Sequence, residues 1–171
     1  LAPPTSMKRT SERIDLVDQP IIPTIAAMVR EHPGTISLGQ GVVSYGPPED
    51  AVASLPRRMA ELALHKYQPV IGMPPLLAAL EAKLAAQNGV VVAGRSEIMV
   101  TAGSNMAFLN AVLAVGDPGD EFVLPMPYYF NQEMAIRMCG CVPVAVPTRP
   151  DWQLDVDAIG RAIGPRTRAI V

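Results

Sequence analysis

From Glu97 to the last residue the chain alternates strand-like and helix-like runs, and this alternation constrains its fold more than any other feature. Glu97 to Thr101 reads as a strand, and Ser104 to Val115 as a helix without a charged residue. Asp117 to Asp120 is a turn. Glu121 to Leu124 reads as a strand, Tyr129 to Met138 as a helix and Val142 to Val146 as a strand. Asp155 to Ile163 reads as a helix capped by Asp155, and Arg168 to Val171 starts a further strand. Strands separated by helices form a mostly parallel sheet with helices on its faces, the α/β class. The helix at 104–115 is apolar on every side, which predicts burial on every side.

The upstream half is less regular. Residues 1 to 20 read as a flexible arm. Ile21 to Arg30 is a short helix with Pro23 at its start, and Thr35 to Leu38 is extended. Gly39 to Pro48 is rich in glycine and proline and reads as a loop. Val52, Leu55, Met59 and Leu62 share one helical face, with Pro56 expected near the first turn. Leu64 to Pro74 is a loop. Pro75 then opens an amphipathic helix with Leu76, Leu77, Leu80 and Leu84 on one side, closed by Asn88-Gly89.

Composition narrows the partners. Hydrophobic residues make up 49% of the 171 and charged residues 18%, a core-rich globular balance. A net charge of -2 gives no basic excess for nucleic acid or an anionic membrane. Small molecules or other protein chains are the partners expected. No apolar run is long enough to span a bilayer, and Leu1 to Arg13 contains no secretory h-region. Cys139 and Cys141 are too close for an unstrained disulfide and too few for a metal site, so they read as small core residues. Two cysteines and no visible signal fit a reducing, cytoplasmic setting.

Four segments carry chemistry. In Met99-Val100-Thr101-Ala102-Gly103-Ser104-Asn105-Met106-Ala107 a strand runs through Gly-Ser-Asn into a helix. Backbone N–H groups at a helix N-terminus, backed by the dipole, bind an anion. Gly103 allows close backbone approach, and Ser104 and Asn105 add donors. Taken alone, Ser104 or Asn105 could equally be a helix cap. The second segment, Pro125-Met126-Pro127-Tyr128-Tyr129-Phe130, follows the next strand at its carboxyl end, where open α/β sheets bind ligands. An aromatic face there could cover a flat heterocycle or pack as ordinary core. Third, Tyr67 in His65-Lys66-Tyr67-Gln68-Pro69 sits in a loop ahead of a helix and could present its hydroxyl to a phosphate. Fourth, Ile36 to Pro48 holds Gly41, whose N–H could meet a substrate carboxylate. Its glycine spacing is not that of a dinucleotide-binding turn.

Together, in this order and spacing, these segments resemble the class I/II aminotransferases of fold type I, the pyridoxal-phosphate-dependent family. The resemblance runs from about Ile21 to Val171. The resemblance implies a three-layer aspartate-aminotransferase-like large domain with a mostly parallel sheet. Residues 1–48 would be the N-terminal arm and substrate loop, and 49–171 the N-terminal part of that large domain. It also implies that Gly103, Ser104 and Asn105 seat the phosphate of pyridoxal 5'-phosphate and that Tyr129 stacks on the pyridine ring. Tyr67 would reach the phosphate in the other subunit of a homodimer, and Gly41 would contact substrate. The expected activity moves an amino group between an α-amino acid and a 2-oxo acid.

The departures are as informative. The family's lysine that holds the cofactor covalently has no counterpart here. Lys8, Lys66 and Lys83 are the lysines, and Lys66 and Lys83 read as solvated surface charges. Asp117 and Asp120 are turn residues and do not match the carboxylate that pairs with the pyridine nitrogen. His32 and His65 read as surface histidines. The sequence ends at Ile170-Val171 inside what reads as a buried strand, so a longer polypeptide is expected, and residues 1–171 by themselves are expected to be inactive. The competing readings are a non-catalytic anion-binding or dimerisation module, a related pyridoxal-phosphate lyase or synthase, and a nucleotide binder.

Overall fold

Three parallel strands carry the core. A computed structural model describes residues 10–17, 21–39, 41, 43–92, 94 and 96–171. Strand β1 (Glu121–Met126) lies between β2 (Val142–Pro147) and β3 (Thr167–Ile170). Its register runs from Glu121 opposite Val142 to Met126 opposite Pro147 on one side, and places Phe122 opposite Ala169 on the other. Helix α6 (Phe130–Met138) joins β1 to β2, and α7 (Val156–Ala162) joins β2 to β3. The alternation read from the sequence is therefore a parallel sheet with helical crossovers, as expected.

Side chains alternate across β1. Phe122 and Leu124 point to one face, where they meet Val112 of α5 (Gly103–Val115), Ile136 of α6 and Cys141, with Phe108 and Tyr128 around them. Val123 points to the other face and packs with Val146 and with Ile159 of α7. Phe122, Val123 and Leu124 are all at most 2% exposed, as a central parallel strand covered on both faces requires. Helices on both faces of the sheet make three layers. Gly116 closes α5 because no larger residue fits: a Cβ there would come within 2.9 Å of the Phe122 ring and 3.2 Å of the Cys141 sulfur. Cys139 and Cys141 are free thiols, and burial pushes both above their ordinary value. They are core residues near a strand start, as the spacing implied.

Asp155 caps α7, its Oδ1 accepting from the Ala158 N–H at 2.8 Å. Asp155→Ala is expected to lower the unfolding free energy by about 1 kcal/mol, measured by urea titration of the protein. An unchanged midpoint would show that water replaces the cap at no cost.

The chain divides into two compact units, Ala102–Val171 with the segment up to Thr24, and Ile25–Thr101. In the first, α1 (Glu12–Asp15) is a short helix within the arm and rests against α6. Residues 1–9 and 18–20 of that arm lie outside the described residues. Helix α2 (Ile21–Glu31) spans the boundary between the units.

The second unit holds α3 (Glu49–Met59), a tight turn of helix at Leu62–His65, and α4 (Pro74–Lys83). Helix α4 widens into a last turn over Leu84–Asn88 and stops at Gly89, whose φ of 66° is the left-handed cap expected of Asn-Gly. Pro56 is deep inside α3 rather than in its first turn. Pro48, Glu49 and Asp50 start the helix earlier, with acidic side chains suited to its N-terminus. The helix also ends before Leu62, so that residue does not continue its face.

Two further expectations change. The segment 97–101 forms no strand among the described residues. Ile98 and Val100 are half-buried and Met99 is exposed, so the alternation persists, and the Val100 N–H donates to the Ile71 carbonyl at 2.8 Å. A ladder needs a partner strand, and none of the described strands pairs with it. Helix α5 is buried along one line only. Val112 is 1% exposed, whereas Leu113 is 61% and Val115 52%. Its apolar surface exceeds what its own unit covers.

Candidate functional site

Helix α5 starts at Gly103, which has a φ of 82° and no atom within 4 Å of where a Cβ would stand. Such a backbone suits glycine and leaves room at the helix mouth. The N-cap residue, Ala102, supplies no side-chain cap, and the first turn holds no acidic residue. Ser104 and Asn105 are exposed, and among the described residues their side chains make no hydrogen bond. The α5 dipole therefore points a polar first turn, with the exposed side chains of Ser104 and Asn105, at solvent, which is the environment an anion prefers. The alternative in which Ser104 or Asn105 serves as the cap is not what the structure holds: the capping position is Ala102.

Tyr129 occupies the capping position of α6, just past the carboxyl end of β1. Its ring is 47% exposed and lies 5.0 Å from the Phe130 ring at a tilt of 60°. Its hydroxyl accepts a bond from the Asn131 side-chain amide at 2.7 Å. A groove of about 280 Å³ runs between the two helices, lined by Asn105, Met106 and Leu109 of α5 and Asn131, Met134 and Met138 of α6. The structure thus brings Asn105 and the partner of Tyr129 to one groove. A larger cleft of about 600 Å³ opens between Met126–Tyr128 and Pro147–Trp152; neither Gly103–Asn105 nor Tyr129 lines it.

The neighbouring aromatic has a different task. The Tyr128 hydroxyl donates to Glu133 Oε2 at 2.7 Å, and Arg137 donates to Glu133 Oε1 at 2.7 and 3.0 Å. The Tyr128 hydroxyl first, and the Arg137 guanidinium after it, hold the Glu133 carboxyl below its ordinary value of 4.5. The same bond pushes the Tyr128 phenol up. A depressed carboxylate contributes stability above its unfolded value, and that contribution is lost as pH falls through the folded value. Glu133→Gln should therefore lower stability at pH 7, and the gap from wild type should close below about pH 4. Unfolding midpoints over a pH series check this; a gap that widened in acid would contradict it. Sequence reasoning missed this triad, although the spacing of Glu133 and Arg137 on a helix was its available signal.

The remaining candidates lie in the second unit. Tyr67 is fully exposed in a loop tied down on both sides. The Gln68 amide donates to the Ala63 carbonyl at 2.9 Å, and the Gly72 N–H to the Pro69 carbonyl at 3.0 Å. Gly72, with a φ of 127°, lets the loop pass Val100, since a Cβ there would meet the Val100 side chain at 2.8 Å. Gly41 is exposed with nothing near a Cβ position, and its neighbours Gln40 and Val42 lie outside the described residues. Lys66 and Lys83 are exposed, and Lys8 lies outside the described residues. His32 and His65 are exposed and pair with the Met28 and Met59 carbonyls, both at 2.8 Å. Among the described residues no group of three metal-binding side chains occurs, and no helix is long and apolar enough to cross a membrane.

Comparison with known proteins bears on this arrangement. The family described as "Aminotransferase class I and II" matches residues 33–171. An aromatic aminotransferase, ISS1, of Arabidopsis thaliana is 37% identical over 129 residues, covering 75% of this chain and 32% of the relative. An aspartate aminotransferase of Pyrococcus abyssi is 31% identical over 163 residues, covering 94% of this chain and 42% of the relative. Among solved structures, the N-succinyldiaminopimelate aminotransferase of Mycobacterium tuberculosis superposes with a TM-score of 0.82 at 31% identity. That match covers 94% of this chain and 42% of that one. The chain thus spans less than half the length of the relatives it matches.

Proposed function

The chain belongs to the aminotransferase class I and II family, and from that membership we propose that it serves a pyridoxal 5'-phosphate-dependent aminotransferase that moves an amino group between an α-amino acid and a 2-oxo acid. Its fold is of the aspartate-aminotransferase type. In this reading residues 1–48 form the arm and substrate loop, and 49–171 the front of the cofactor-binding large domain. The protein acts in the cytoplasm as a homodimer.

The observation that carries the reading is that Asn105, in the first turn of α5, shares a groove with Asn131, whose amide binds the hydroxyl of the exposed Tyr129. The residues present fit the cofactor. Gly103, Ser104 and Asn105 would hold its phosphate through the helix terminus and two side-chain donors. Tyr129 would cover one face of its ring. When bound, the cofactor supplies an electron sink for the bond broken at the substrate Cα. Tyr67 would donate its hydroxyl to the phosphate of the partner site, and the Gly41 N–H would orient the substrate carboxylate. The full exposure of Tyr67 on a tethered loop supports an outward reach.

Two experiments on the full-length protein test this. With bound cofactor and one amino acid but no acceptor, one equivalent of 2-oxo acid per site is expected, with turnover only after an acceptor 2-oxo acid is added. Release of ammonia or carbon dioxide instead would assign a different reaction. The cross-subunit role is read from mixed dimers with Tyr67→Phe in one chain and Ser104→Ala in the other. If Tyr67 acts across the dimer, both lesions fall on one site and the other keeps full affinity; two weakened sites would contradict it.

A further inference from the structure

We propose that Asn131 is a positioning residue for the cofactor, acting through the hydroxyl of Tyr129. The inference rests on the reading of Tyr129 as the stacking ring and adds to it a residue that the family resemblance did not mark.

A stacking ring is effective only when its plane is held, because a freely rotating ring loses contact area and pays ordering entropy on binding. Tyr129 is nearly half exposed, so core packing does not fix it. Two neighbours in the first turn of α6 do. The Phe130 ring lies 5.0 Å from it at a tilt of 60°, and the Asn131 amide donates to its hydroxyl at 2.7 Å. Asn131 is itself half-buried on the wall of the groove that Asn105 lines from α5. One amide therefore connects the ring to the wall shared with the proposed phosphate seat. Removing it should leave the fold intact and loosen only the ring.

The test is a double-mutant cycle on the full-length protein, with pyridoxal 5'-phosphate titrated into apo-protein and followed by near-ultraviolet circular dichroism. Asn131→Ala and Tyr129→Phe are each expected to weaken affinity about 3–10-fold, the loss of one neutral hydrogen bond. The double variant should be no weaker than either alone, since both remove the same bond. Apo-protein unfolding midpoints should not move. Effects that multiply, or an Asn131→Ala loss that persists undiminished in the Tyr129→Phe background, would overturn the proposal, because Asn131 would then act by another route. Tyr129→Ala separates the two levels. If it weakens binding and Asn131→Ala does not, only the positioning role falls. If Tyr129→Ala itself leaves affinity unchanged, the ring-stacking reading falls and the positioning role with it.

Discussion

Phe122→Ala is expected to lower the unfolding free energy by about 3–5 kcal/mol, the range for truncating a buried phenylalanine. Phe122 is 2% exposed and packs with Val112, Leu124, Ile136 and Cys141. It also fills the space that Gly116 leaves open, where even a methyl group would approach its ring to 2.9 Å. The surrounding side chains belong to a strand and two helices, so they cannot all collapse into the void. A loss of that size is a large share of the total stability of a typical domain, about 5–15 kcal/mol. Urea or thermal unfolding of the protein measures it. A loss below about 1 kcal/mol would mean that the interface between β1 and the α5–α6 layer is not the centre of the core.

Tyr129→Ala carries the second large expectation. Removing an aromatic platform under a flat heterocycle costs about 1–3 kcal/mol, which is roughly 10–100-fold in cofactor affinity. Ser104→Ala removes one donor to a charged phosphate and should cost on the order of tenfold. Equilibrium dialysis of the full-length protein against pyridoxal 5'-phosphate reads both. The two side chains stand on different helices and would touch different parts of the ligand, so their losses should add. If neither variant changes affinity, the cofactor seat lies elsewhere and the proposed site is removed.

The sheet was largely legible in the sequence because its signals are local. β1, β2 and β3, with helices α6 and α7 between them, fall within a residue or two of their expected bounds, as does the Asp155 cap. Gly89 was equally legible, since Asn-Gly after an apolar helical stripe specifies a left-handed stop. What failed depended on partners. Residues 97–101 have the composition of a strand, but a strand exists only where another backbone pairs with it. The burial of α5 was inferred from its apolar surface, yet Leu113 and Val115 stay open. Composition states how much surface seeks cover, not what supplies it. Within the candidate site, glycine, serine and tyrosine announced themselves by residue type. The bonds from Asn131 to Tyr129 and from Tyr128 to Glu133 did not, because side chains two and five residues apart meet only once the helix start is set.

The position of β1 between β2 and β3 also bears on the order in which the sheet can assemble. Pairing β1 with β2 closes a loop of about 20 residues, whereas pairing it with β3 closes one of about 45, and the longer closure costs roughly 0.7 kcal/mol more in chain entropy. The crossover between β1 and β2 is the segment that contains Tyr129 and Asn131. The proposed ring platform is thus encoded in the shortest-range part of the sheet, where a nascent chain can find its geometry before the distant edge strand has joined.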